Sequence, residues 1–390
     1  MTGKVQNSGH VFVSKLTLTD FRCYGRAQIK PRCDHPLVVL TGPNGAGKTN
    51  VLEAISYLAP GRGLRRASLA EVARQQGSGT WAVAATVDLD GEPVKAGTGI
   101  EQPAEDANAK RLVKLDGYLA TNSNVFGERW SVGWLTPQMD RLFIEGPASR
   151  RRFLDRMVLG LFPDHSRQVG AYERVMRDRN RLLSEKGFSA DKVWLGALEA
   201  KMAEHGVAVA VARLEFAGQL AGQLTEADES PFPKADLAID GWLEGLLAEG
   251  SAPVEVEILF RERLAKCRAL DGSKGRAGNG VHKTDLVVIH AAKGMRADLC
   301  STGEQKALLV ALVLANAKLQ TALKGQAPLM LMDEMAAHLD ADRRVALFEA
   351  LSSLGSQCWL TGTDSSLFEE LSGRAEFFNV SDGTIQPSSQ

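Results

Sequence analysis

The feature that most restricts the fold of this chain is a glycine-rich turn, GPNGAGKT, which spans Gly42 to Thr49. It follows a short apolar run, PLVVLTG, and precedes a segment of helical character that extends from Lys48 to about residue 58. An all-apolar strand is typical of a parallel sheet that is covered on both faces. A strand, a turn with this glycine spacing and a helix match the phosphate-binding loop in both sequence and context. We therefore predict an α/β nucleotide-binding fold.

The residues of the turn indicate which chemistry it supports. Its glycines let backbone N–H groups turn inward around phosphate oxygens, and the helix N-terminus adds a partial positive charge. Lys48 is placed to reach the β- and γ-phosphates, and Thr49 to bind Mg²⁺. The predicted cofactors are therefore ATP and Mg²⁺. The predicted ATP contacts are Gly42, Pro43, Asn44, Gly45, Ala46, Gly47, Lys48, Thr49 and Asn50.

Two carboxylates end a second apolar strand, LMLMDE. Ligands bind at the carboxyl ends of the strands in a parallel α/β sheet. Asp333 suits a Mg²⁺ carboxylate, which binds the ion directly or holds one of its other ligands. Glu334 points elsewhere and is the predicted general base, which accepts a proton from the attacking water. His338 follows closely, but a lone histidine is more often structural than catalytic.

A second small-residue turn, Ser301-Thr302-Gly303-Glu304-Gln305, opens a helix about 250 residues after the phosphate loop. A hydroxyl, a glycine and a helix N-terminus are typical of an anion site. The same residues also match an ordinary N-cap box, in which Ser or Thr is followed shortly by Glu. The turn taken alone leaves both interpretations open.

The order of elements predicts a nucleotide domain in two halves with a mainly helical insertion. Antiparallel strands surround the hairpin turns Asp90-Gly91 and Asp116-Gly117, and a short strand, SVGWLTPQ, follows them. Helices are predicted from Pro147, from His165 to Lys186, and from Asp191 to about residue 224, the last with a bend or an early end at Gly206 or Gly218. PVEVEIL and DLVVIHA are predicted as strands, and DGSKGRAGNG as a flexible loop. The predicted domains are 1–146, 147–280 and 281–390.

The order of motifs resembles the ATP-binding-cassette (ABC) family of ATPases. It runs from the phosphate loop through Pro137-Gln138, Ser-x-Gly-Glu-Gln and strand-Asp-Glu to Leu339-Asp340. The resemblance implies an ABC-type ATPase head, with a mixed sheet and an antiparallel β lobe. It implies that Gln138 binds ATP and senses Mg²⁺ and the attacking water. It also implies that Ser301, Thr302, Gly303 and Glu304 cap the γ-phosphate held by a second protomer, so that ATP dimerises the chain.

Finer motifs resemble one bacterial family over nearly the whole chain. LTLTDFRCYG, TPQMDRLFIEGPASRRRFLDR, GVHKTDL and LMDEMAAHLD are similar to segments of RecF, a recombination-mediator ATPase. The resemblance implies a weak, Mg²⁺-dependent ATPase that dimerises on ATP and binds DNA at gaps and at junctions of single and double strands. It further implies help to RecO and RecR in loading RecA, in recombinational repair, replication-fork maintenance and the SOS response. RecR is the implied direct partner.

Some residues depart from the family pattern. Gln138 replaces the more usual acid, Glu145 interrupts a pair of small residues, and His282-Lys283 replaces the commoner His-Arg. The segment after QCWLTG offers Thr361, Thr363 and Asp364 but no histidine, so the residue that replaces the γ-phosphate switch histidine of transporters is left open.

DNA binding has a local rather than a global signal in the sequence. The formal net charge is −1, so a basic patch must be local. From Arg141 to Lys186 there are ten arginines and one lysine against six acids. The predicted DNA contacts are Arg150, Arg151, Arg152, Arg174, Arg177 and Arg181, which suit phosphates without reading sequence. A solvated helix face with internal ion pairs is the alternative for any one of them.

Composition favours a cytoplasmic protein with no membrane partner. Five scattered cysteines argue for a reducing compartment, and the N-terminus shows no apolar signal core. Apart from a DNA clamp, the sequence allows an ABC-type ATPase acting on RNA, the ribosome or a protein, and an ATP-bound scaffold without turnover. A transporter subunit fits poorly, because transporters place the two turns much closer together.

Overall fold

The computed structural model describes residues 9–101, 109–225 and 231–388. Its strands are β1 Val11–Phe21, β2 Tyr24–Ile29, β3 Leu37–Thr41, β4 Trp81–Leu89, β5 Glu92–Ile100, β6 Arg111–Leu115, β7 Tyr118–Ala120, β8 Val132–Leu135, β9 Ala235–Asp240, β10 Asp285–His290, β11 Met295–Arg296, β12 Leu329–Met332, β13 Cys358–Gly362, β14 Ala375–Ser381 and β15 Thr384–Ser388.

Helices alternate with these strands and dominate the middle of the chain. They are α1 Lys48–Ser56, α2 Leu69–Val72, α3 Asn124–Gly127, α4 Pro147–Leu161, α5 His165–Lys186, α6 Lys192–Thr225, α7 Trp242–Ala248, α8 Pro253–Lys266, α9 Arg268–Lys274, α10 Thr302–Lys324 and α11 Ala341–Ser353. By their contacts, the residues divide into two compact units. Among the described residues, the first unit lies within 9–140, 231–232 and 309–388, and the second lies within 141–225 and 233–308.

The first unit contains two sheets. A mixed sheet has the order β15-β14-β3-β13-β12-β8, in which β14, β3, β13, β12 and β8 are parallel. An antiparallel sheet has the order β2-β1-β4-β5-β6-β7. Helix α1 contributes Val51, Leu52 and Ile55 to a core that also contains Leu40 from the mixed sheet and Leu18 from the antiparallel sheet. This pairing of a mixed sheet with an antiparallel lobe confirms the predicted fold class.

The second unit is mainly helical and carries a small antiparallel sheet, β11-β10-β9. Strand β10 was predicted to start the last domain, but it pairs with β9, so residues 281–308 pack with the second unit. The contact-based units therefore have different limits from the predicted domains. The predicted domains divide the chain by functional role, and that division stays a prediction.

Three local predictions about the middle of the chain are wrong. PVEVEIL forms the start of helix α8, in which Val256, Phe260 and Leu264 recur every four residues and are fully buried. Helix α6 runs unbroken through Gly206, where a side chain would press against Phe260 and Tyr172. Part of the predicted flexible loop, from Asp271 to Lys274, belongs to helix α9.

Helix α10 is long and apolar enough to cross a membrane by composition, with a mean hydropathy of 1.4 over its best window. In this structure 78% of that window is buried within the chain. A core helix of a globular domain gives the same pattern, so the composition of α10 is weak evidence for a membrane span.

Candidate nucleotide-binding site

The phosphate loop connects β3 to α1 and depends on glycine at two positions. Gly42 has φ 149°, and a β-carbon there would lie 2.1 Å from the carbonyl oxygen of Val380. Gly47 has φ 113°, and a β-carbon there would lie 2.7 Å from the hydroxyl oxygen of Tyr24. That hydroxyl donates a hydrogen bond to the Gly47 carbonyl at 3.0 Å. Only glycine therefore fits these two positions without a shift of the neighbouring β14 and β2.

Lys48 crosses the mouth of this loop. Its Nζ donates to the carbonyl oxygens of Gly42 at 2.7 Å and of Pro43 at 2.9 Å. Burial lowers the pKa of the Lys48 ammonium, while the charges of Glu334 and Asp333 act to raise it. The two carboxylates therefore lie close enough to interact with the lysine that is predicted to hold the phosphates.

Asp333 joins the phosphate loop because β13 lies between β3 and β12 in the mixed sheet. The Thr49 hydroxyl donates to Asp333 Oδ1 at 2.8 Å. Thr361, which is buried within β13, donates its hydroxyl to the same Asp333 oxygen at 2.8 Å. Residues from three neighbouring strands thus converge on one carboxylate, although they are far apart in sequence.

Glu334 lies next to this carboxylate in an uncommon backbone conformation. Its φ is 53°, in the left-handed region that non-glycine residues rarely adopt. Its backbone N–H donates to the Thr361 hydroxyl oxygen at 2.9 Å. Thr361 therefore holds Asp333 through its proton and Glu334 through its oxygen. Residues held in such backbone conformations concentrate at functional sites.

Gln138 reaches the same edge of the sheet. It lies in a short 3₁₀ turn, Pro137–Arg141, directly after β8, and is exposed. Leu135 at the end of β8 pairs with Met332 at the end of β12, and the Asp333 N–H donates to the Leu135 carbonyl at 2.9 Å. Gln138 and Asp333 therefore follow two adjacent parallel strands.

The oxygen atoms at this edge fit Mg²⁺. Magnesium prefers hard oxygen ligands and usually takes one or two protein groups, with phosphates and waters completing its shell. Thr49 Oγ1 and the Asp333 carboxylate are such ligands, and they are in hydrogen-bond contact. Within the described residues, no group of three or more His, Cys, Asp or Glu side chains forms an all-protein metal cage. The side chain of His338 lies outside the described part of the chain.

The second predicted anion site, at Ser301, belongs to the other unit. Ser301 caps α10: the Glu304 N–H donates to Ser301 Oγ at 3.4 Å, and the Ser301 N–H donates to Glu304 Oε2 at 3.0 Å. Lys293 also pairs with Glu304, and the pKa of Glu304 is lowered to about 2 by Lys293 and then by Ser301. The N-cap box is therefore present. Thr302 and Gly303 lie exposed at the same helix end.

The arginines predicted to contact DNA have different environments. Arg150 is 9% exposed and forms two 2.8 Å hydrogen bonds to the Asp285 carboxylate. Its guanidinium therefore stabilises contacts within the chain, and this environment does not favour the predicted DNA contact. Arg151 is half-buried and donates to the Thr284 carbonyl at 2.7 Å. The others, Arg152, Arg174, Arg177 and Arg181, are exposed.

Two contributors to these sites were not identified from the sequence. Thr361 was noted only where a switch histidine was absent, and Lys293 was not noted. A hydroxyl at the end of an apolar strand, QCWLT, was the available signal for Thr361. For Lys293 the sequence shows only a lysine in a turn before the helix, so only the folded chain brings it to Glu304.

Comparisons with known proteins identify the relatives of this chain. A family model described as "RecF/RecN/SMC N terminal domain" matches residues 12–132. The chain is 48% identical to the DNA replication and repair protein RecF of Mesorhizobium japonicum over 377 residues, covering 96% of this chain and 98% of that protein. It is 47% identical to the protein of the same name in Agrobacterium fabrum, with 99% of each chain covered.

Solved structures show the same fold at lower identity. The recombination mediator protein RecF with ATPrS, in the RecFOR pathway, matches with a TM-score of 0.84 and 20% identity, covering 97% of this chain and 99% of that one. An Smc head domain from Pyrococcus furiosus matches with a TM-score of 0.52 and 18% identity, covering 97% and 96%. The architecture is therefore that of an ABC-type ATPase head. The identity to curated relatives over nearly the full length shows that this chain belongs to the RecF family of DNA replication and repair proteins.

Proposed function

We propose that this chain is an ATP-dependent DNA-binding clamp that acts in recombinational repair. It dimerises on ATP at single-strand gaps and at junctions of single and double strands. The observation that carries the proposal is the Thr49–Asp333–Thr361 set at the mouth of a phosphate loop, in a member of the RecF family. The solved RecF structure with the same fold was determined with ATPrS.

ATP hydrolysis is assigned to residues of the first unit. Residues 42–50 hold the phosphates, with Lys48 on the β- and γ-phosphates. Thr49, Asp333 and Gln138 would hold Mg²⁺, which would neutralise charge that develops on the phosphates. Glu334 accepts the proton of the attacking water. The rate of ATP hydrolysis is low, and hydrolysis regulates dimerisation and DNA binding.

A second copy completes each site in this proposal. Ser301, Thr302, Gly303 and Glu304 contact the γ-phosphate held by the partner. The exposed position of Thr302 and Gly303 at the start of α10 supports this, because a helix N-terminus favours anions. Glu304 carries a negative charge there, and Lys293 offsets it. The functional ATPase domain is proposed to comprise 1–146 and 281–390, with 147–280 as the insertion.

The proposed partners follow from family membership. DNA is bound without regard to sequence, and the exposed Arg152, Arg174, Arg177 and Arg181 are the proposed contacts in the second unit. RecR, acting with RecO, is the proposed protein partner, and RecA is loaded as a result. The protein acts in the cytoplasm, in replication-fork maintenance and the SOS response.

DNA binding is tested with the Glu334→Gln protein on a gapped duplex. Binding is expected with ATP–Mg²⁺ and not with ADP, and it is expected to weaken steeply with salt because counterions are released from the DNA. Fluorescence anisotropy across a salt series measures both effects, with an intact duplex and a single strand as controls. No ATP-dependent binding to any of the three would contradict the DNA clamp and favour an ABC-type ATPase acting on RNA, the ribosome or a protein.

Thr361 is predicted to position the catalytic carboxylates. Thr361→Val keeps the shape of the side chain but leaves the Glu334 amide without its acceptor. Glu334 then loses the contact that holds its left-handed backbone conformation, so the base is misplaced. A misplacement that raises the barrier by about 1.4 kcal/mol is tenfold in rate, and kcat is expected to fall about tenfold or more. ATP binding should change little, because the phosphate loop is intact.

The matched control for this prediction is Thr361→Ser, which keeps the hydroxyl. Steady-state ATPase assays that separate kcat from KM, with a Mg²⁺ titration, measure both variants. Serine is expected to recover most of the turnover. An equal loss in the two variants, or a loss confined to KM, would exclude a positioning role for the hydroxyl.

A further inference from the structure

The outer face of the antiparallel sheet in the first unit is a basic surface. Strand register places Arg26 of β2 opposite Thr19 of β1, and Lys15 of β1 opposite Thr86 of β4. It also places Thr86 opposite Lys95 of β5. The inward side chains of β1 and β4, such as Leu16, Leu18, Val83 and Val87, lie in the core, so the alternate residues face solvent.

Four cations stand on this face: Lys15, Arg26, Lys95 and Lys114. All four are exposed, and within the described residues none of them forms an ion pair. Two carboxylates lie at the end of the sheet where β4 turns into β5 and β6 turns into β7. Asp88 accepts a hydrogen bond from the backbone N–H of Gly91, and Asp116 accepts one from the backbone N–H of Lys95. The face therefore has an excess of positive charge in a chain whose formal net charge is −1.

The sheet surface between these cations carries small side chains. Ala82 and Ala84 of β4 are exposed, and Gly97 of β5 lies in the same row as Ala84. Exposed strand positions usually carry larger β-branched or aromatic side chains. Small residues here let a flat or convex partner approach the sheet. The long cationic side chains can then contact the partner at its edges.

The spacing of the cations suits a polyphosphate backbone. Arg26 on β2 and Lys114 on β6 are four strands apart, or roughly 19 Å at about 4.8 Å per strand. Lys15 and Arg26 lie on neighbouring strands, separated by four residues along the strand, or roughly 14 Å. A patch of this size spans several phosphates of a duplex, which carries one charge per about 1.7 Å of axis.

We propose that this sheet face, defined by Lys15, Arg26, Lys95 and Lys114, binds the sugar–phosphate backbone of duplex DNA. The proposal rests on the DNA-binding function proposed above and gives it a surface in the first unit. Phosphate contacts fix the position of the protein on the duplex and carry no sequence information, which suits a clamp that binds gaps of any sequence.

The test uses the full chain with Lys15→Gln, Arg26→Gln and Lys114→Gln combined. Each neutralised contact reduces the salt dependence, so the slope of log Kobs against log salt is expected to become less negative by about 2 to 3. Affinity for duplex and gapped DNA should fall together. ATPase activity without DNA should stay unchanged, because these side chains lie outside the nucleotide site.

The matched control keeps the charge: Lys15→Arg, Arg26→Lys and Lys114→Arg combined should retain the wild-type slope. Lys95→Gln alone should have the smallest single effect, because the carboxylates of Asp88 and Asp116 lie at the same end of the sheet as Lys95 and reduce the positive charge there. Wild-type DNA binding with an unchanged slope in the glutamine triple variant would overturn this surface and leave the clamp function intact. A wild-type protein that binds no DNA would overturn this surface and the clamp function together.

Discussion

Glu334→Gln is expected to abolish ATP turnover and to prolong the life of the ATP-bound dimer. Removal of a general base typically costs 10²–10⁴-fold in rate. Glutamine has nearly the same shape as glutamate, and the contact that orients this residue runs from its backbone N–H to Thr361 rather than from its side chain. The substitution should therefore remove the proton acceptor and leave the phosphate loop unaltered. Single-turnover hydrolysis measures the chemical step, and light scattering after chromatography measures the dimer.

A double variant separates the two claims in this prediction. Adding Ser301→Arg to Glu334→Gln places a large cation at the start of α10, where the partner's ATP is proposed to dock. This protein should still bind ATP but remain monomeric. Turnover that survives in Glu334→Gln would show that another group is the base. A dimer that persists in the double variant would exclude the Ser301 turn from the interface.

Arg179→Met is expected to lower the free energy of unfolding of the second unit by about 3–5 kcal/mol, since removing one partner of a buried ion pair leaves uncompensated charge. Arg179 is fully buried in α5 and binds Glu199 at 3.1 Å, Asp271 at 2.8 Å and the Leu264 carbonyl at 2.8 Å. Methionine fills a similar volume but leaves the Asp271 carboxylate without its cation. Glu199 keeps a second partner, Arg268.

Arg181→Met is the matched control two residues further along α5. Arg181 is exposed, and within the described residues its ion pair is with Asp178 in its own helix. A surface change of this kind is usually within about 0.5 kcal/mol. Hydrogen exchange of peptides from α5, α6 and α9, followed through a urea titration, measures the second unit without assuming that the whole chain unfolds in one step. Equal protection in the two variants would mean that the buried network contributes little to stability.

Local patterns predicted the elements around the nucleotide site well. The β3–loop–α1 unit and the hairpins at Asp90-Gly91 and Asp116-Gly117 all form where the sequence indicates. Each has a short-range cause, either a required positive φ or an apolar strand. Asp333 could be placed for the same reason, because carboxyl ends of neighbouring parallel strands meet at one edge.

The sequence is least informative where a local helix start is overlooked and where distant residues decide the surroundings of a side chain. Val and Glu alternate in PVEVEIL and favour a strand locally, but Pro253 begins a helix, and the Ala252 N–H donates to Glu255 to cap it. Arg150 and Arg179 look like surface cations in an arginine-rich segment. Their partners, Asp285 and Asp271, lie roughly a hundred residues away, and the sequence alone gives no sign that the chain brings these pairs together.

The position of β13 between β3 and β12 determines when the nucleotide site can assemble during synthesis of the chain. The mixed sheet pairs Thr41 with Gly362, so about 320 residues must leave the ribosome before the first half of the site meets its neighbour. At synthesis rates of 5–20 residues per second this delay is roughly 15 to 60 s. During that interval the phosphate loop lacks both Asp333 and Thr361. A nascent or truncated chain therefore carries the loop without the groups that complete it, and nucleotide chemistry begins only when nearly the whole polypeptide has been made.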